Sequence, residues 1–131
     1  MVMKKKKIVV IGSSNTDLVI KTTRIPSPGE TVIGGEFLMT AGGKGANQAV
    51  AIARLGGDVA FIAKVGRDMF GESALRGYAA DGIDIDTIER DGSAPSGVAL
   101  ITVDAHGENC IVVAPGANNT LTTAEDRKSV V

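Results

Sequence analysis

Two continuous apolar runs, each closed by glycine, set what this chain can fold into: KIVVIG at 7–12 and VAFIAKVG at 59–66. Neither run alternates with polar residues, so a strand made from it is buried on both faces. That is the situation of a parallel sheet covered by helices. The residues after each run have helical spacing. Ala46, Ala49, Val50 and Ala53 fall at i, i+3, i+4 and i+7, and Gly56-Gly57 closes that segment as a C-cap. Asp68 is a fitting N-cap for a second helix through about Ala80, with Phe70, Ala74 and Tyr78 along one side and Gly82 at its end. The order strand, helix, strand, helix predicts right-handed crossovers in an α/β fold.

The other segments are extended. DLVIKT at 17–22 leads into a Pro/Gly loop at 25–30, and the stretch 30–43 reads as a strand with a turn or bulge at Gly34-Gly35. GVALITVD and ENCIVVAPG flank AHGE between 97 and 116, the pattern of an antiparallel hairpin. Beside a parallel unit, such a hairpin belongs to a separate layer or lid. At 131 residues the chain fits one domain. Aromatic residues are 3% and Trp is absent, so the core must come from Val, Ile, Leu and Ala.

Charge excludes some partners. The net charge is -1 with both signs interspersed, and the one basic run, Lys4 to Lys7, reads as a solvated flank. Neither a nucleic acid nor a membrane is expected as partner, since no apolar stretch approaches the ~20 residues of a span. IVVIG is too short for the apolar region of a signal peptide. Cys110 is the one cysteine, which excludes an intrachain disulfide and fits a reducing, cytoplasmic setting.

The glycine-rich stretch AGGKGANQA, 41–49, invites a nucleotide reading that its spacing does not support. A Walker loop needs Ser or Thr after its lysine, whereas Lys44 is followed by Gly45; a dinucleotide fingerprint needs G-x-G-x-x-G after the first strand, where GSSNTD stands instead. Two readings remain: a plain glycine turn that lets helix and sheet pack closely, or a polar-ligand site. In the second, Gly42 and Gly43 offer backbone N–H groups at a helix start, with Lys44 and Asn47 over the first turn. Asn15 and Asp17 lie at the end of the first strand, the edge where open α/β sheets bind ligands. Asp17 is acceptor-only when ionised and suits adjacent hydroxyls, while Asn15 both donates and accepts; the alternative for Asp17 is an Asx-turn or a strand-edge charge. His106 reads as a solvated turn residue and Cys110 as packing. Asp81, Asp84 and Asp86 read as solvated carboxylates, and no metal-ligand spacing occurs.

GSSNTD, IPSPGET, GGKGANQAVAIARLG, KVGRDMFGE and SGVALITVDAHGENCIVVAPGANN together resemble the PfkB-type carbohydrate kinase family, specifically its ribokinase branch, up to about Asn119. The resemblance implies a ribokinase-like three-layer α/β sandwich with a small β-sheet lid. It implies a sugar site made by Asn15, Asp17, Gly42, Gly43, Lys44 and Asn47, with Ala99 and Ile111 as its apolar wall. It also implies lid strands at about 31–40 and 97–115, with the lid serving as a homodimer interface. The implied activity is ATP-dependent phosphorylation of D-ribose to D-ribose 5-phosphate, with Mg2+ and K+ as cofactors. Deoxyribose, or another sugar, is the neighbouring alternative.

The GAGD motif that carries the family's catalytic aspartate and phosphoryl-binding amides does not occur in this sequence. No catalytic residue is therefore assigned. The expectation is that 1–125 form the sugar-side half of such a domain, inactive alone and binding neither ATP nor metal by itself. DRKSVV at 126–131 is also what a common short-read sequencing adapter encodes in one frame, so these residues are expected to be a non-native tail. A naturally short, non-catalytic module that binds sugar, or pairs with a full-length kinase, is the competing reading.

Overall fold

The computed structural model describes residues 6–123. Its elements run β1 (Lys7–Ile11), β2 (Asn15–Lys21), β3 (Glu36–Gly42), α1 (Lys44–Arg54), β4 (Asp58–Gly66), α2 (Met69–Ala80), β5 (Ile88–Asp91), β6 (Gly97–Val103), β7 (Asn109–Ala114) and a 3-10 helix, η1 (Gly116–Thr120). Both apolar runs are parallel neighbours: β1 and β4 pair from Lys7–Asp58 to Ile11–Ile62, and β5 adds on the other side of β4. β4 is the central strand and is buried through almost its whole length.

One face of this sheet, with Val59, Phe61, Ala63 and Val65, packs against Ala46 and Ala49 of α1 and Tyr78 of α2. The Phe61 and Tyr78 rings meet edge to face, 5.5 Å between centroids, so the core is not built from Val, Ile, Leu and Ala alone as the composition suggests: its two largest fully buried side chains are aromatic. Side chains buried this fully stabilise the fold by about 1.5–3 kcal/mol each, so the larger β4 side chains dominate the local energetics. On the opposite face lies η1, whose Ala117 is fully buried; Lys64 reaches from β4 to the Thr120 carbonyl at 3.3 Å. This is the α/β class expected.

Both helices start and stop where the sequence says. Asp68 caps α2 by accepting the Gly71 N–H at 2.9 Å. Each helix closes in the same six-to-one, five-to-two pattern: Gly57 N–H to Ile52 and Gly56 N–H to Ala53, then Ile83 N–H to Tyr78 and Gly82 N–H to Ala79. Gly56 and Gly82 hold the left-handed position, φ 82° and 79°, that this closure requires.

The remaining strands form a second, four-stranded sheet in the order β3-β2-β6-β7. The β6–β7 hairpin is as expected, its turn held by Asp104, which accepts the N–H groups of His106 and Glu108. His106 is an exposed turn residue. Other expectations change. Residues 31–35 are loop, and β3 starts only at Glu36, so 31–40 overstates one strand boundary and misses the other. Gly34 and Gly35 take φ 95° and 156° before the strand, and no bulge interrupts its register. Asn15 and Asp17 lie inside β2, not at the end of the first strand, and β2 and β6 are the two central strands of the second sheet and run parallel. Cys110 is exposed on β7, an edge strand whose six residues are all exposed, and is not packed. Asp81 and Asp84 are not simply solvated: they pair with Arg54 at 3.0 Å and Lys7 at 2.9 Å. The expected 126–131 tail lies outside the described residues.

Candidate functional site

Register places the polar residues. β2 is flanked by β3 and β6, so Asn15 lies opposite Gly42 on one side and Gly97 on the other; Asp17 lies opposite Thr40 and Ala99. Ala99 in turn faces Val113, and Ile111 sits opposite Ile101 one pair farther along the same face. The glycines beside Asn15 make the trough. A methyl group on Gly42 would overlap the Asp17 carboxylate, and one on Gly97 would overlap Asn15 Oδ1 and Asn118 Nδ2. Only a bare backbone leaves both polar side chains where they are.

Asp17 is half-buried inside a strand and makes no hydrogen bond or ion pair among the described residues. It is no Asx-turn. Burial raises its pKa above the ordinary carboxylate value, and no cation among the described residues offsets it. A carboxylate left in this state is an acceptor waiting for donors.

The glycine-rich turn serves close packing first. Gly43 is the α1 N-cap with φ 95° and ψ 130°, and no side chain caps the helix. The β1–β2 loop crosses its first turn so closely that a methyl on Gly12 or Gly45 would strike the other's backbone. Ser13 accepts the Ala46 N–H at 3.0 Å, so that helical donor goes to the protein's own backbone. Lys44 and Asn47 are exposed on this first turn. The structure thus gathers Asn15, Asp17, Gly42 and Ala99 in adjacent rows, sets Gly43, Lys44 and Asn47 at their end, and leaves Ile111 as the exposed far wall.

One residue of this arrangement has no assigned role in the sequence reading. Asn118, in η1, accepts the Ser14 N–H at 2.9 Å and shares its two Nδ2 hydrogens among Asn15 Oδ1 at 2.8 Å and the Pro115 and Ser14 carbonyls at 2.9 and 3.2 Å. Its signal was the GANN string beyond the hairpin, a polar pair after a glycine. At the second-sheet root, Asp68 accepts from Ser96 N–H at 2.8 Å and Ser96 Oγ at 2.7 Å. Burial works against its charge, but these bonds and that from Gly71 outweigh it and leave its pKa lowered. Ser14 Oγ and the Tyr78 hydroxyl, both buried, are 2.6 Å apart.

A cleft of about 900 Å3 that adjoins this site opens between α1, α2 and β3, with Asn47 of the site and Arg54, Met39 and Tyr78 in its walls. Asn15 and Thr40 border it, whereas Asp17 and Ala99 do not. Among the described residues no group of three or more His, Cys, Asp or Glu side chains is placed to hold a metal, and no helix is long and apolar enough to cross a membrane.

Residues 5–130 match the family described as pfkB family carbohydrate kinase. The chain belongs to that family. Among curated pfkB-family relatives, ribokinase of Bacillus subtilis is 46% identical over 119 residues, covering 91% of this chain and 40% of that protein. Deoxyribokinase of Salmonella typhi is 41% identical over 127 residues, covering 92% and 42%. Among solved structures, ribokinase from Giardia lamblia superposes with a TM-score of 0.84 at 37% identity, covering 96% of this chain and 38% of that one. Arabidopsis thaliana ribokinase, solved with ribose and ATP, gives 0.77 at 34%, covering 88% and 38%. The fold is ribokinase-like α/β, and the chain spans about two-fifths of the length of these pfkB-family relatives.

Proposed function

We propose that this chain forms the sugar-binding part of a ribokinase-type kinase. The whole protein then transfers the γ-phosphoryl group of ATP to D-ribose, giving D-ribose 5-phosphate and ADP. The observation that carries the reading is the unpartnered Asp17 carboxylate beside Gly42, in register with Ala99. Its two oxygens accept adjacent sugar hydroxyls, Asn15 and Asn47 add polar contacts, and the Ala99–Ile111 face covers the apolar side of the ring. Lys44, Gly42 and Gly43 frame the mouth.

The second sheet acts in this reading as a lid, whose closing excludes water that would compete for the phosphoryl group. Its opposite face presents Ile20, Phe37, Met39, Leu100 and Val112, all substantially exposed, and a second copy covering them makes the homodimer. The base that takes the hydroxyl proton, and the sites for ATP, Mg2+ and K+, belong to the part of the protein this chain does not span. ATP use is supported by the Arabidopsis ribokinase complex, and a cytoplasmic location goes with it.

Deoxyribose is the second reading, favoured by the 41% identity to a deoxyribokinase. Both are tested by joining the chain, through Asn119, to the remaining part of the Bacillus subtilis ribokinase and measuring ADP release. Ribose is expected to outperform deoxyribose, and Asp17→Ala to abolish ribose use. Unchanged ribose use in Asp17→Ala refutes this site, and a wild-type fusion that accepts no sugar refutes the kinase reading.

A further inference from the structure

Hydrogen-bond polarity passes from the backbone into the site through Asn118. A backbone N–H only donates and a carbonyl only accepts. The Ser14 N–H therefore marks one end of the Asn118 side chain as oxygen, and the Pro115 and Ser14 carbonyls mark the other as nitrogen. That nitrogen faces Asn15 at 2.8 Å, so the Asn15 atom toward it must be the acceptor Oδ1. Asn15 Nδ2 is then turned away and has no partner among the described residues. Gly97 keeps this geometry accessible, because a methyl there would displace both amides.

We infer that Asn118 is a positioning residue that fixes the Asn15 amide so that its N–H donors face the ligand beside the acceptor Asp17. The inference rests on the sugar reading and adds its polarity: one row offers an acceptor, the next a donor. A hydroxyl that donates to Asp17 has a neighbouring oxygen that accepts from Asn15. With the amide free to turn over, the site would present two acceptors half the time, and the match would be lost.

The test uses the same fusion, its melting temperature, and Michaelis constants for ribose and ATP. Asn118→Asp keeps the shape and the acceptor for Ser14 N–H but puts an acceptor against Asn15, and against the Pro115 and Ser14 carbonyls, which lowers the melting temperature as well. The Asn15 amide then turns to donate to it and shows its oxygen to the sugar. KM for ribose is expected to rise roughly tenfold or more, with KM for ATP and kcat within about twofold. Because Asn118 acts through Asn15, the Asn118→Asp change should add nothing in an Asn15→Ala background. Asn118→Ala, which withdraws the donor without adding charge, repeats the test if Asn118→Asp does not fold. An additive loss in the double variant, or a lowered melting temperature with ribose KM unchanged, overturns the role of Asn118 alone. A wild-type fusion that uses no sugar overturns both the role and the sugar reading beneath it.

Discussion

Asp17→Asn should make the protein more stable and nearly useless at once. Without ligand, Asp17 holds a half-buried charge that no donor or cation among the described residues compensates, and its pKa is raised by burial. The folded state therefore holds the carboxyl proton more tightly than the unfolded chain does. It follows that Asp17 costs stability at pH values above its folded pKa, and that the cost fades as pH falls through that pKa toward the ordinary value of 3.8. The site is partly solvated, which limits the cost to about 0.5–1 kcal/mol at neutral pH. In a protein of kinase length this is roughly 1–4 °C in melting temperature. Function moves the other way. Hydrogen bonds to a charged group contribute about 1.5–3 kcal/mol each, so losing the charge on two hydroxyl contacts should lower kcat/KM for ribose at least ~100-fold. Thermal melting of the ligand-free fusion at pH 7 and pH 4, beside ADP-release kinetics, measures both. A variant that melts lower at pH 7, or keeps kcat/KM within about threefold, refutes the reasoning.

The other predictions concern single contacts. Gly42→Ala drives a methyl into the Asp17 carboxylate and should raise ribose KM at least ~10-fold while leaving KM for ATP unchanged, a split that steady-state kinetics resolves. Tyr78→Phe leaves the buried Ser14 hydroxyl without its partner and should cost about 1–2 kcal/mol in urea unfolding with little change in ribose KM. Leu100→Glu places a charge in the exposed apolar face of the second sheet and should shift the fusion from dimer to monomer in sedimentation, and no shift would remove that face as the interface.

Legibility followed the range of the interactions. The helices were readable because their caps and periodicity are local: Asp68, Gly56 and Gly82 state the boundaries within a turn of where they act. The central strands were readable because β4 is apolar on both faces. β5 was missed, since IERD at 88–91 is short and carries three charged residues. The parallel pairing of β2 with β6 joins residues some eighty positions apart, and no local pattern encodes it. Cys110 misled for a different reason: β7 is apolar on both faces like a buried strand but lies at an open edge. In the site, Asn15 and Asp17 stood out as a polar pair after an apolar run. The contact that turns Asn15 comes from Asn118 and depends on the return of the chain after the hairpin.

The second sheet is joined to the first wherever the chain crosses, and the crossings are fastened: Ser13 to Ala46, Ser14 to Asn118, Ser96 to Asp68, and Pro95 to Ala117 at 2.7 Å. A plate anchored along one side can only pivot. At about 3.3 Å per residue, the far end of β2 stands roughly 20 Å from that line and Asp17 only about 7 Å. A swing of about 10° would therefore carry the tip near Lys21 and Glu36 some 3–4 Å while moving Asp17 by about 1 Å. In the proposed lid reading, the outer end can thus travel far enough to admit a ligand, while the carboxylate proposed to accept its hydroxyls stays almost still.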